Sequence, residues 1–301
     1  MPKFKYHLTE VQYLMLEDKI RTESYKKAIE VLVSENGIVA DLGSGSGILS
    51  FFAAQKAQKV YSVEITDIID FSKKVAHLNN FNNIEFIQGD IFKIDLKEKV
   101  DFIIHEQIGD YLWDEDLINK ITFFRKKFLK KGGNIIPNTI ELYMVPVSYL
   151  NKTEKILKYW KSMPYGIDFS PFVPLTLKQG ISNYLYPQKI LLEDDNTYLS
   201  VPKKVYEVNL SEDTSVPETV EVDFRLKKGY LTGILCFMKV KFSEDIFFFT
   251  NHYNKNGLLT HWKQIFLPLF KPLNIKENED LHVVLNPDVN PKNWKWKIEK
   301  I

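Results

Sequence analysis

The hydrophobic pattern changes period near residue 137, and a chain with two periods has to build two kinds of sheet. Before that point the short apolar runs GIVADL, KVYSVE, NIEFIQ and KVDFII alternate with longer amphipathic segments, GILSFFAAQKA, DIIDFSKKVAHLNN and DLINKITFFRKKFLKK. Such alternation predicts βαβ units around a parallel sheet. After it, two-residue alternation takes over. In VEVDFRL, Val220, Val222, Phe224 and Leu226 point one way and Glu221, Asp223 and Arg225 the other; near the end Trp294, Trp296 and Ile298 oppose Lys295, Lys297 and Glu299. Strands with one buried face predict an antiparallel sandwich or barrel. The boundary is placed at GGNIIPN, where two glycines are expected to end a basic helix tail and Pro137 to force a turn. This divides the chain into an α/β domain over 1–136 and an antiparallel β domain over 137–301.

Composition narrows the function classes. The 301 residues, 45% of them hydrophobic, are enough to bury the cores of two domains. Forty basic residues against thirty-nine acidic leave a formal charge of +1. No overall field would therefore hold the chain to nucleic acid or to an anionic membrane. The single cysteine, Cys236, excludes an intramolecular disulfide framework and a cysteine-rich metal site, and no metal is expected. No run reaches the roughly 20 apolar residues of a membrane helix, and no signal peptide opens the chain. A soluble, cytoplasmic protein is expected.

The first half carries a cofactor pattern. GIVADL runs into GSGSG and then a helix, so Asp41, Gly43, Gly45 and Gly47 let backbone approach a ligand and open a helix N-terminus toward it. The next strand ends in Glu64, seventeen residues beyond Gly47. A carboxylate there accepts both hydroxyls of a ribose and excludes a 2′-phosphate. Gly89 and Asp90 follow the third strand, placed to close an adenine pocket at the carboxyl edge of the sheet. NAD and S-adenosylmethionine both satisfy this description.

VADLGSGSGILSFFAAQKAQKVYSVE resembles the cofactor-binding region of class I S-adenosylmethionine methyltransferases, and its GILSFFAA run is similar to that of the protein arginine methyltransferases. MLEDKIRTESYKKAI resembles the helix that this family places before its first strand, HEQIGDYLWDEDL its double-glutamate loop, and LLTHWKQ its Thr-His-Trp loop at Thr260, His261 and Trp262. The resemblance runs through most of the chain. It implies a Rossmann-like methyltransferase domain followed by a β-barrel, with S-adenosyl-L-methionine as cofactor. Arg21 would hold the cofactor's carboxylate, with Asp41, Gly43, Gly45, Gly47, Glu64, Asp90, Ile91 and Glu106 completing the cofactor site. Glu106 and Glu115 take the two glutamate positions, nine residues apart. His261 would pair with Asp18, either as a proton relay or as a clamp. Met15, Gln107 and Trp262 would line the substrate channel.

The chemistry suits the carboxylates. A guanidinium, with a pKa above about 12, is a poor nucleophile. Two carboxylates bind it bidentately, localise its charge on the nitrogens facing them, and leave the third nitrogen better able to attack a sulfonium methyl held in line. The departures concern the substrate. His105, Gln107 and Ile108 replace the usual serine, tryptophan and methionine, Gln12 sits where a histidine is common, and Phe92 where a glutamate often contacts the adenine amino group. Asp90 is the candidate to take over that contact. The aromatic segment that closes over the cofactor is reduced to KFKYH, with Phe4 and Tyr6.

Between the early and later strands lies YWKSMPYGIDFSPFVPLTLKQGISNYLYP, rich in aromatics and proline. In the family the corresponding segment is an arm that docks on a second subunit, here about 154–190, which implies a homodimer. The expected activity is methyl transfer to arginine in a protein or peptide. A small-molecule guanidine or amine is the alternative acceptor, and a cofactor-binding scaffold or regulatory subunit the alternative function.

Overall fold

The computed structural model of the chain describes residues 9–254 and 257–301. Phe4 and Tyr6 lie outside the described residues. The α/β part runs α1 (Thr9–Glu17), α2 (Lys19–Leu32), β1 (Ile38–Leu42), α3 (Ile48–Ala54), β2 (Lys59–Glu64), α4 (Ile69–Leu78), β3 (Ile84–Gln88), β4 (Val100–His105), α5 (Leu117–Phe128) and β5 (Leu129–Ile136). Its five strands form a parallel sheet in the order β3-β2-β1-β4-β5. The central strands β1 and β4 are almost wholly buried, as their continuous apolar runs require. Strand order reverses between β1 and β4, so the carboxyl ends of these neighbours flank the crevice where open α/β sheets bind ligands.

Two local expectations are corrected. MLEDKIRTESYKKAI forms two helices where one was expected. Asp18 leaves helical geometry at φ −65 and ψ 90, and its carboxylate caps α2 by accepting the N–H of Arg21 at 2.9 Å. The glycines of KKGGN do not end the basic helix. That helix stops at Phe128, where the Leu129 N–H still reaches the Arg125 carbonyl, and Gly132 and Gly133 lie inside β5. There Val100 pairs with Leu129 but Phe102 with Asn134, so the extra residues form a bulge. Gly132 adopts φ +80, and a Cβ on Gly133 would lie 2.8 Å from the Asp101 carbonyl. Close backbone approach, not helix termination, explains the glycine pair.

The β part contains β6 (Thr139–Val147), α6 (Lys152–Lys161), α7 (Val173–Gly180), α8 (Ser182–Leu185), β7 (Gln188–Ile190), β8 (Lys203–Asn209), β9 (Val220–Arg225), β10 (Gly229–Lys241), β11 (Phe247–Phe249), β12 (Gln264–Ile275), β13 (Asp280–Asn286) and β14 (Lys295–Lys300). One sheet has the order β7-β12-β10-β6-β8, with β11 also on β10; a second has the order β14-β13-β9. In the second, Phe224 lies opposite Leu281 and Val283 opposite Ile298, so the apolar halves of the alternating pattern share one face. Among the described residues no helix is long and apolar enough to cross a membrane.

Contacts group the chain into two compact units. The first comprises residues up to Glu141 together with Glu207–Ser215 and Met238–Trp262; the second comprises Leu142–Tyr206, Val216–Phe237 and Lys263–Ile301. The Thr260-His261-Trp262 loop thus belongs to the same unit as the glycine turn and both glutamates.

Candidate functional site

The cofactor end of the site is built on the turn after β1. Gly43, Gly45 and Gly47 all take positive φ, at 72, 51 and 86. Only glycine does this without strain, and Gly47 then opens α3. The N–H groups of Gly43 and Ser44 bond the Val63 carbonyl at 2.8 and 3.0 Å, which holds the turn against the end of β2. Glu64 accepts the Gly45 N–H at 3.0 Å with one oxygen and the Thr66 N–H at 2.8 Å with the other. Each oxygen keeps a lone pair for a further donor. Asp41 is buried and accepts the Ser50 hydroxyl at 2.6 Å, while burial pushes its pKa up to about 7. Gln12, in the common histidine position, accepts the Ser46 N–H at 2.8 Å and bolts α1 to the turn. After β3, Ile91 is buried and Asp90 accepts the Phe92 N–H at 3.0 Å.

These residues fit a polar nucleoside ligand. The buried Ser44 Oγ, Thr66 Oγ1 and Gln107 Oε1 have no protein hydrogen-bond partner, although they follow three different strands at the same sheet edge. At Gly43, φ +72 strains any side chain, and a Cβ would lie 2.2 Å from the Gln107 amide, which would have to move aside.

The second end is a chain of charges. Glu106 follows β4 and accepts Arg21 Nε at 3.0 Å, while Arg21 Nη1 donates to the Met15 carbonyl at 3.0 Å. Arg21 is only 4% exposed. Burial works against its charge, but Glu106, with Tyr25 and Asp18, prevails and raises its pKa. Asp18 Oδ2 accepts the backbone N–H of His261 and faces its Nδ1, both at 2.8 Å. Burial would raise the Asp18 pKa; the bonds from the His261 ring, the Arg21 N–H and the His261 N–H prevail and lower it. His261 Nε2 lies 4.0 Å from Glu106 Oε1. Asp18, Arg21, Glu106 and His261 are therefore one connected cluster. Glu115 is half-buried at the far end of the loop, in left-handed backbone with φ 61.

Three side chains fasten the loop that carries Glu106. Tyr25 donates its hydroxyl to the His105 carbonyl at 2.9 Å, and His105 Nε2 lies 2.9 Å from the Pro137 carbonyl. Burial lowers the His105 pKa to about 4, so the ring is neutral and donates to Pro137. Trp262, 3% exposed, stacks on Phe248 and donates its indole N–H to the Ile108 carbonyl at 2.6 Å. It is seated as a buried bolt on the glutamate loop. Tyr25 was missed by sequence reasoning because its partner is 80 residues away; within its helix it is an ordinary apolar-face residue.

A glycine turn after β1, a carboxylate closing β2 and an acidic edge after β3, on a parallel sheet of order β3-β2-β1-β4-β5, define a class I methyltransferase type of domain. Residues 34–197 match the family described as Methyltransferase domain, and residues 138–299 match the Arginine methyltransferase oligomerization subdomain. The chain belongs to the protein arginine methyltransferase family, and S-adenosylmethionine is its cofactor. It is 35% identical to Protein arginine N-methyltransferase 6 of Danio rerio over 203 residues, 65% of this chain and 57% of that protein. Protein arginine N-methyltransferase 1 of Oryza sativa is 27% identical over 287 residues, 93% of this chain and 72% of that protein. The chain thus spans little more than half the length of the first relative. Its fold is similar to the Trypanosoma brucei PRMT1 enzyme-prozyme heterotetrameric complex with AdoHcy, with TM-score 0.81 and 23% identity over 99% of this chain and 94% of that one. It is also similar to Arabidopsis thaliana protein arginine methyltransferase 10, with TM-score 0.82 and 24% identity over 98% and 93%.

Proposed function

We propose that the chain transfers a methyl group to a guanidino nitrogen of arginine in a protein or peptide. The observation that carries this reading is the Arg21–Glu106–His261–Asp18 cluster at the carboxyl end of β4, beside a nucleoside-sized cradle of glycines. S-adenosylmethionine supplies the electrophile, a methyl group on a positively charged sulfur. Glu64, held in place by the Gly45 N–H, would accept from the ribose hydroxyls, Asp90 would accept from the adenine amino group, and Arg21, with a donor left over, would hold the carboxylate. Glu106 and Glu115 accept from two guanidinium nitrogens, which localises the positive charge there and frees the third nitrogen for attack. Transfer adds a methyl group to a cation, so one N–H proton has to leave. Glu115 takes it directly, or Glu106 passes it to His261, whose Nδ1 bond to Asp18 fixes Nε2 toward Glu106.

Incubation with methyl-labelled cofactor, an arginine-rich peptide library and free small guanidines tests the reading. Label on peptide arginine is expected. Binding of cofactor with no label on any guanidino acceptor would remove the enzymatic reading, and label on free guanidines alone would replace the protein substrate with a small molecule.

We also propose a homodimer. The segment between α6 and β7 exposes Tyr165, Ile167, Phe172 and Leu175, and α4 exposes Phe71, Val75 and Leu78 at helical spacing. The arm of one copy covers the α4 stripe of the other, and reciprocal docking closes a two-fold pair. The match to an oligomerization subdomain supports this. Light scattering should give twice the chain mass, and L175E should halve it; a wild-type monomer would end the proposal. The antiparallel sheets are read as barrel walls, and the lone buried Cys236 fits a reducing cytoplasm.

A further inference from the structure

The resemblance puts Gln107 in the substrate channel, but its amide lies on the cofactor turn. Strands β1 and β4 run side by side with Leu42 opposite His105, so Gly43 and Glu106 leave the sheet at one level. Gln107 follows at the crevice between the two strands. A Cβ built on Gly43 would lie 2.2 Å from Gln107 Nε2 and 3.1 Å from its Cδ, so the amide covers the first glycine of the turn. The amide oxygen, Oε1, is buried and has no protein hydrogen-bond partner. A buried acceptor is costly to leave unpaired, and this one points to a donor that arrives with a ligand.

The cofactor brings one strong donor to this end of the crevice. Its amino-acid tail carries a carboxylate and an ammonium on the same carbon, so whatever holds the carboxylate also fixes where the ammonium can reach. Arg21, assigned above to the carboxylate, is bonded to Glu106, the residue before Gln107. The acceptors around Arg21 are engaged. Asp18 accepts the N–H groups of Arg21 and His261 and faces the His261 ring; the Met15 carbonyl accepts Arg21 Nη1, and Glu106 Oε1 accepts Arg21 Nε. Gln107 Oε1 is the buried acceptor left over on the same loop. We infer that Gln107 is a further cofactor-binding residue, its Oε1 accepting from the α-ammonium of S-adenosylmethionine. The inference rests on the cofactor site described above. An indole has a donor and no acceptor, so the tryptophan usual at this position could not make the contact, which is particular to this chain.

Calorimetric binding of S-adenosylhomocysteine and of its deaminated analogue, which keeps the carboxylate and lacks the α-ammonium, to the wild type, Q107L and Q107E tests it. Q107L should bind S-adenosylhomocysteine about tenfold more weakly than the wild type, the loss of one charge-assisted hydrogen bond, and should bind the deaminated analogue as the wild type does. Deamination should therefore cost the wild type about tenfold more affinity than it costs Q107L. Q107E, which keeps an acceptor, should retain the preference for the amino compound. Q107M replaces Q107L if that variant does not fold. An equal deamination penalty in the wild type and Q107L would overturn the inference and leave the cofactor reading intact. So would a Q107L variant that binds S-adenosylhomocysteine as tightly as the wild type and raises only the KM for peptide, which would return the amide to the substrate channel. A wild type that does not bind S-adenosylhomocysteine would overturn both.

Discussion

The glycine turn after β1 and the glutamate loop after β4 stand on neighbouring strands and both use left-handed backbone, but they fill it differently. In the turn every such position is a glycine, at Gly43, Gly45 and Gly47. In the loop the left-handed positions are Leu112, Glu115 and Asp116, at φ 62, 61 and 58. Non-glycine residues there cost roughly 1 kcal/mol each, less for aspartate. The turn is therefore relaxed and holds its shape by itself. The loop keeps its shape because Tyr25 and Trp262 tie the His105 and Ile108 carbonyl groups from outside, and the His105 ring anchors its start to the Pro137 carbonyl. The glycine turn is thus built from local backbone, whereas the glutamate loop is held by long-range bonds.

Four substitutions would sharpen or break this contrast, taken from the largest effect downward. E106Q keeps the shape of the loop and removes the charge, so kcat should fall on the order of 100- to 1,000-fold, with far less change in S-adenosylhomocysteine affinity. Steady-state kinetics beside calorimetry decide this, and a full-rate E106Q would remove Glu106 from the chemistry. G47A places a Cβ 2.8 Å from the Phe51 ring at φ +86. It should destabilise the fold by about 2 kcal/mol and weaken cofactor binding, as urea unfolding and titration would show.

Asp41 gives a pH signature in the relaxed region. Its folded pKa of about 7 lies above the unfolded carboxylate value, so its favourable contribution is complete below about pH 4 and is lost as pH rises through 7. D41N escapes that loss. It should be more stable than the wild type at pH 8, on the order of 1–2 kcal/mol, with the difference shrinking toward pH 4. A difference that does not change with pH would exclude the buried-charge account. The smallest effect is expected in the strained loop. D116G relieves a left-handed aspartate but loses the 2.7 Å bond from Asn119, for a net gain of about 0.5 kcal/mol in thermal unfolding. Destabilisation would mean that the loop is not strained at this residue.

Much of the parallel sheet was legible because each strand and helix leaves a periodic trace in a window of ten residues or so, and the glycine turn is a local pattern of the same kind. The antiparallel face of VEVDFRL was legible for the same reason, since alternation records which side is buried. The glycines of β5 misled because a glycine marks either a helix end or a close backbone approach, and only the 2.8 Å distance from a Gly133 Cβ to the Asp101 carbonyl decides which.

By itself the sequence determined the two sheet types, the cofactor cradle and the presence of two glutamates in one loop, because periodicity, turn chemistry and charge are properties of neighbouring residues. Only the tertiary structure decided that His261 meets Asp18 across 243 positions, that Trp262 is a buried bolt on Ile108, and that residues 238–262 return to the first unit. Those outcomes depend on which distant surfaces bury each other. No short window of sequence holds that information, since the free energy that selects such a pairing is gained only when the whole chain closes on itself.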